Sequence, residues 1–346
     1  MTPRSAARAL GRRAPGRAAP APRPALVAPP ERPPAAPTGA VPSDQAALPP
    51  APRPGPAASS PAALLRRLGL RPRKGLSQSF LVDRRVCATI ARAAALDAAD
   101  AVLEVGPGLG VLTAELVRHA GRVVAIELDK QLATALPALL GQPANLRVIQ
   151  GDALHIAPEA LFDDGYKLVA NLPYHITSPL LMHVLQAARR PRLAVVMVQR
   201  EVAERIAAPP GDLSYLAVAV QLYATPRIVR TVPAAAFYPR PRVESAVLRL
   251  DVRPAPAVVP DAPATFLRFV QAGFKQPRKH LRNSLAEGLG CRPIEAEALL
   301  RQADLDPARR PQTLTLDEWA RLYEAWRATS PGEGARSLDH QPVQPG

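Results

Sequence analysis

The chain has almost no cysteine. There are two in 346 residues, Cys87 and Cys291, far apart and with no His or Cys at ligand spacing. A disulfide framework or a zinc site is therefore not expected, and no metal is predicted. No run of about 18 apolar residues occurs, so nothing is predicted to span a membrane. Aromatic residues make up only 4% of the sequence, so the core is expected to consist mainly of Val, Leu, Ile and Ala. Acidic residues are outnumbered: Lys and Arg exceed Asp and Glu by 15, which points to a polyanionic partner. Residues 1–61 hold eight Arg, no Lys and two acids, so they account for +6 of that charge. The remaining +9 belongs to the rest of the chain and favours a nucleic-acid partner.

Residues 1–61 also hold 17 of the 42 prolines, without any hydrophobic period. Such a segment cannot bury enough surface to offset its ordering entropy, so it is expected to be a disordered Pro/Ala/Arg-rich extension. A passive tail, an organelle transit peptide and a loose RNA-contacting arm are all compatible with it; dense proline argues against the amphipathic helix of a mitochondrial signal. From Ala62 the composition changes. A short helix over Ala62–Leu70 precedes a basic loop with Arg71, Arg73 and Lys74, and a helix is expected over Asp83–Leu96. Short apolar strand candidates then alternate with helical stretches: Ala101–Val105, Val111–His119, Arg122–Ile126, Gln131–Leu140, Leu146–Ile149, Lys167–Ala170, Ser178–Ala188 and Leu193–Val198. Two more strands are expected at Arg227–Val232 and Ser245–Leu250. Alternation of this kind predicts an α/β fold with a parallel, doubly wound sheet. Beyond about residue 255 the pattern is all-helical, with candidates at Ala264–Phe274, Pro277–Gly288, Pro293–Gln302 and Thr315–Trp326. The expected organisation is a 62–255 catalytic domain, a small helical domain over 256–328 and a loose tail over 329–346.

Three strand ends carry a nucleoside-type pattern. Gly106-Pro107-Gly108-Leu109-Gly110 follows the first strand and opens a helix, so its glycines permit a sharp turn and close approach to a ligand. A dinucleotide loop would require G-x-G-x-x-G, and the third glycine position is Val111. Glu127 ends the next strand, where a carboxylate can accept both ribose hydroxyls of an adenosine. Asp152, in Gly151-Asp152-Ala153, ends the third and can accept from an adenine amine. Ligands of parallel α/β sheets bind at the carboxyl ends of strands, where all three fall.

Asn171-Leu172-Pro173-Tyr174 closes the fourth strand. Its chemistry suits methylation of an exocyclic amine on a planar base. The lone pair of such an amine is delocalised into the ring; the Asn171 side-chain oxygen and the Leu172 carbonyl can accept its two N–H groups and turn the lone pair toward a methyl donor. Pro173 fixes φ in the turn. Tyr174 can stack on the base, an interaction of about 1–3 kcal/mol. A base paired in a duplex cannot reach such a turn, so the target must be unpaired or flipped. Phe237, in Phe237-Tyr238-Pro239-Arg240-Pro241-Arg242-Val243-Glu244-Ser245, reads equally as a second wall over the base or as a core side chain at a strand start.

Taken together, these motifs resemble the ribosomal RNA adenine N6,N6-dimethyltransferases, with the nearest likeness to the bacterial small-subunit (16S) branch. The resemblance covers roughly residues 64–327. It rests on Gln78-Ser79-Phe80-Leu81, the glycine loop, Glu127, Gly151-Asp152, Asn171–Tyr174, Gln199-Arg200-Glu201-Val202, Phe237–Ser245 and Phe274-Lys275-Gln276-Pro277-Arg278-Lys279-His280-Leu281-Arg282-Asn283-Ser284-Leu285. It implies a Rossmann-like class I methyltransferase sheet with a small C-terminal helical domain. It implies S-adenosyl-L-methionine as cofactor, contacted by Ser79, Leu81, Gly106, Gly108, Glu127, Asp152 and Asn171. Ser79 stands where the family often has Asn or His, and His175 where Asn is common; His175 is given no role. The implied reaction is dimethylation of two adjacent adenosines in the 3′-terminal hairpin loop of 16S RNA, within the immature small subunit, by a cytoplasmic monomer; a mitochondrial location would apply if the N-terminus is a transit peptide. Alternatives are an adenine methyltransferase on large-subunit RNA or DNA, or an assembly factor acting by binding. For RNA contact the candidates are Tyr174, Phe237, Lys275, Arg278, Lys279 and Arg282, with Arg278 and Arg282 expected as i,i+4 neighbours on one helix face.

Overall fold

A computed structural model describes residues 60–69, 79–259 and 262–329. The expectations for residues 1–59, for the basic loop with Arg71, Arg73 and Lys74, and for the stretch from Ser330 onward lie outside the described residues. Ser60 caps α1 (Pro61–Arg67) by accepting from the Ala63 N–H. Next come β1 (Phe80–Leu81) and α2 (Arg84–Ala93), whose Asp83 cap accepts from the Arg85 N–H at 2.8 Å.

The alternating segment folds as β2 (Ala101–Val105), α3 (Val111–His119), β3 (Arg122–Glu127), α4 (Lys130–Leu139), β4 (Leu146–Gln150), β5 (Lys167–Asn171), α5 (Thr177–Gln186) and β6 (Leu193–Gln199). Then come α6 (Arg200–Ile206), α7 (Tyr215–Tyr223), β7 (Ala224–Val232), β8 (Phe237–Tyr238) and β9 (Ser245–Val252). The seven-stranded sheet has the order β4-β3-β2-β5-β6-β9-β7. Expected strand positions agree to within a few residues. Helices α6 and α7 were not expected; α7 is buried almost all round, so no amphipathic period marks it.

The sheet is mixed rather than wholly parallel. Strands β4, β3, β2, β5 and β6 are mutually parallel, but β9 runs antiparallel to both β6 and β7. The physical reason is the connection. Residues 233–244 join β7 to β9 without a crossover helix, and a short connection returns the chain antiparallel. That connection carries β8, which pairs antiparallel with β1 in a separate ribbon (Phe80 opposite Tyr238, Leu81 opposite Phe237).

Helices α8 (Pro263–Gly273), α9 (Leu281–Leu289), α10 (Pro293–Gln302) and α11 (Leu316–Thr329) complete the described chain. The helix expected from Pro277 begins only at Leu281. Ser284 of α9 donates to the Gly273 carbonyl (2.6 Å) and accepts from the Gln276 N–H (2.8 Å), while the Leu281 N–H is taken by the Arg309 carbonyl. Those bonds hold residues 274–280 as a turn, so Arg278 and Arg282 are not neighbours on a helix face. The sheet's core is aliphatic, as composition predicts. The few aromatics concentrate instead between α8 and α11, where Phe266, Phe269, Phe274, Trp319, Tyr323 and Trp326 form a connected set of ring contacts. Gly273 is required there: a Cβ would lie 2.4 Å from the Trp319 ring.

Candidate active site

The cavity at the carboxyl ends of β2, β3, β4 and β5 is lined by Ser79, Phe80 and Leu81 of the β1 ribbon, by residues 104–109, Glu127, Gly151, Asp152 and residues 171–176. Every residue expected to contact the cofactor, and all four of Asn171–Tyr174, therefore reach one cavity, although they are spread over nearly a hundred positions of sequence.

The glycine loop does what its sequence requires. Gly106, Gly108 and Gly110 have φ of +69°, +56° and +78°, the left-handed region that other residues avoid. Space enforces the same choice at Gly108, where a Cβ would meet the Phe80 ring at 2.8 Å. Gly110 opens α3 as its cap. Glu127 is tied to this loop. Its Oε2 accepts from the Gly108 N–H at 3.0 Å and its Oε1 from the Asp129 N–H at 2.9 Å. Burial raises its pKa, and those two N–H donors offset part of the rise. Each carboxylate oxygen keeps a second lone pair for hydroxyl donors. Asp152 accepts from the Leu154 N–H through Oδ1, and its Oδ2 lies 3.2 Å from His155.

Sequence reasoning passed over Glu104. It is 1% exposed and lines the cavity, with the Thr113 hydroxyl beside it and no ion pair to a described residue. Its pKa is pushed up to about 8, mainly by burial; the adjacent Thr113 hydroxyl lowers it and the charge of Glu127 raises it further. The available signal was a carboxylate inside the apolar run Ala101–Val105, since Glu is seldom fully buried without a partner. A buried carboxylate that faces a cavity and has no ion pair to a described residue suits a cationic group. Together with the glycine cradle and the anchored Glu127, it fits a sulfonium nucleoside carrying an amino-acid end.

On the target side, Leu172 continues the β5 ladder by donating to the Met197 carbonyl at 3.1 Å, which fixes the height of the turn. The Asn171 amide makes no hydrogen bond to a described residue and is open to an incoming ligand. Tyr174 shares a 2.7 Å hydrogen bond with Ser245, which is 0% exposed at the start of β9. The partnership of Tyr174 with Ser245 was also not foreseen. Burial raises the Tyr174 pKa, so the phenol stays neutral. Phe237 is placed otherwise than a second wall would require. It is 4% exposed, packs in the core beside Leu81 and Val86, and does not line the cavity, because pairing with β1 turns it inward. Its neighbour Tyr238 is the exposed aromatic, at 38%.

The four expected RNA-contacting cations divide as well. Lys275, Arg278 and Lys279 form no ion pair with a described residue. Arg282 pairs with Glu297 at 3.2 Å, and Glu297 also holds Arg301. Among the described residues, no group of His, Cys, Asp and Glu could hold a metal ion, and no helix is long and apolar enough to cross a membrane.

Sheet order, glycine loop and strand-end carboxylates define a Rossmann-like methyltransferase. The family model for ribosomal RNA adenine dimethylase matches residues 69–325. Ribosomal RNA small subunit methyltransferase A of Dehalococcoides mccartyi strain 195 is 46% identical over 255 residues, covering 73% of this chain and 88% of that protein. The protein of the same name from Pelotomaculum thermopropionicum is 44% identical over 277 residues, covering 76% and 94%. Among solved structures, 23S rRNA methyltransferase ErmE is 30% identical with a TM-score of 0.57, covering 71% of this chain and 98% of that one. A dimethyladenosine transferase from Plasmodium falciparum shares the fold, with a TM-score of 0.61 at 24% identity, covering 72% and 98%. The chain belongs to the ribosomal RNA adenine dimethylase family. It is an rRNA adenine dimethyltransferase that uses S-adenosylmethionine.

Proposed function

We propose that the protein dimethylates the N6 amines of two adjacent adenosines in the 3′-terminal hairpin loop of 16S rRNA, on the immature small subunit in the cytoplasm and as a monomer. The observation that carries this reading is the open Asn171 amide at the end of β5, in the same cavity as the glycine loop and Glu104. The choice of the small subunit is supported by relatives of that name at 44–46% identity, against 30% for the protein titled a 23S enzyme.

S-adenosylmethionine supplies an electrophilic methyl group on sulfur. Glu127 would accept from its ribose hydroxyls and Asp152 from its adenine amine, and Glu104 would face its cationic part. Ser79, Leu81, Gly106 and Gly108 shape the wall. The Asn171 side-chain oxygen and the Leu172 carbonyl would accept both N–H groups of the target amine for the first transfer and the one that remains for the second, aiming the lone pair at the methyl donor; each transfer would release the neutral thioether and one proton to solvent. Pro173 stiffens the turn, and Tyr174, steadied by Ser245, stacks on the base. Catalysis then rests on positioning and fixed dipoles rather than on a titrating acid or base. In this division of labour residues 62–255 carry methyl transfer, while residues 256–328 hold RNA through Lys275, Arg278 and Lys279.

The test supplies labelled S-adenosylmethionine with under-methylated small subunits, large-subunit RNA and DNA in parallel. Transfer to the small subunit is expected. Transfer confined to large-subunit RNA or to DNA would overturn the assignment.

A further inference from the structure

A second cleft, of about 650 Å³, lies between α5, the start of α7 and the α8–α9 turn. That is within the ~300–1,000 Å³ typical of small-ligand sites. Met182, Leu216, Phe274 and Pro277 give it apolar surface, and Tyr215 adds an aromatic ring. Arg205 and Arg278 stand on its wall without ion pairs to described residues, against one acid, Asp212. Lys275 and Lys279, likewise unpaired, belong to the same turn as Arg278. Gln312 also lines the cleft. Its backbone carbonyl is taken by Gly211 and Leu213, while its side-chain oxygen is buried with no partner. A buried acceptor left unmet is costly, and an N–H donor would relieve it.

The position of the cleft identifies its occupant. Residues 171–176 line the catalytic cavity, and Ser178 and Pro179 line the second cleft. Only Thr177 separates the two sets along the chain, so one short stretch, residues 171–179, borders both. We propose that this cleft receives a nucleotide of the substrate RNA flanking the target adenosine. Its base lies on the apolar and aromatic surface, and its phosphates face Arg205 and Arg278. Stacking platforms edged by cations are how unpaired nucleotides are held. This rests on the reading above that the substrate is an unpaired segment of rRNA. It adds that the base not being methylated has a place of its own.

The test replaces Gln186, an exposed residue on the rim, with p-benzoylphenylalanine and irradiates the full-length protein on under-methylated small subunits. Methyl transfer by wild-type protein to the same subunits is measured alongside. A cross-link to a nucleotide next to the methylated adenosine is expected. With methylation intact, a cross-link to distant RNA or to protein, or none, overturns the inference. Failure of the wild type to methylate these subunits overturns the underlying reading instead. Independently, Met182→Trp fills the cleft. It should raise KM for subunits about tenfold, the scale of one lost base stack, with cofactor affinity intact. An unchanged KM contradicts the proposal.

Discussion

The catalytic cavity and the turn between α8 and α9 both face RNA in this account, yet they are built in opposite ways. The cavity is fixed by backbone. Three left-handed glycines, a strand-end carboxylate held by two N–H donors and a turn hung on the β5 ladder leave few alternatives. The turn hangs on the Ser284 side chain and the bond from the Leu281 N–H to the Arg309 carbonyl, and its cations have no ion-pair partners among the described residues. Elsewhere in the helical segment, Arg282 and Arg301 share Glu297, Arg292 pairs with Glu295 and Arg309 with Glu318. The contrast separates charge that decorates a surface from charge held for a partner. Under the proposed function, geometry governs the chemical step and unpaired charge governs association.

Four experiments sharpen or break that separation. The largest effect is expected at Asn171→Ala. Loss of one preorganised polar group costs about 10²–10³ in kcat, while subunit binding is unchanged. Weakened subunit binding in that variant would collapse the distinction. Next is Gly108→Ala. A left-handed φ costs an alanine about 1–2 kcal/mol, and the Cβ contact with Phe80 adds to it. Calorimetry should show a clear loss of cofactor affinity, with RNA affinity retained.

Reversal of Lys275, Arg278 and Lys279 to Glu should weaken RNA binding across sequences and lower the slope of log affinity against log salt by about 2–3. Arg282→Glu alone should lower that slope less, because Glu297, shared with Arg301, already offsets part of the Arg282 charge. A slope that responds equally to both would show that pairing does not matter here.

The last experiment concerns pH. Unfolded Glu104 ionises at an ordinary carboxylate pKa, but the folded protein keeps the proton until about pH 8. The folded state binds more protons across that window, so the cofactor-free protein loses stability as pH rises from about 4.5 to 8. Glu104→Gln should flatten this part of the thermal-midpoint profile. A profile identical to the wild type would show that Glu104 is not held protonated.

Much of the cavity was legible in the sequence because glycine spacing, strand-end acids and the Asn171–Tyr174 turn are local signals with local causes. Three features were not. The reversal of β9 depends on a connection whose length reads as a loop in either topology. Phe237 reads equally as a wall or as a core side chain until its pairing with Leu81 is seen to put it in the core. The break before α9 depends on Ser284 reaching back to Gly273 and Gln276, a tertiary bond that no helical period reveals. Glu104 was the missed local signal, a lone acid in an apolar strand.

The most direct measurement maps methylated nucleotides by mass spectrometry on small subunits from cells lacking this modification, after incubation with wild-type protein or with Asn171→Ala. Dimethylation of two adjacent adenosines in the 3′-terminal hairpin loop is expected from the wild type and none from the variant. Methylation at another site, or undiminished methylation by Asn171→Ala, would contradict the proposed function.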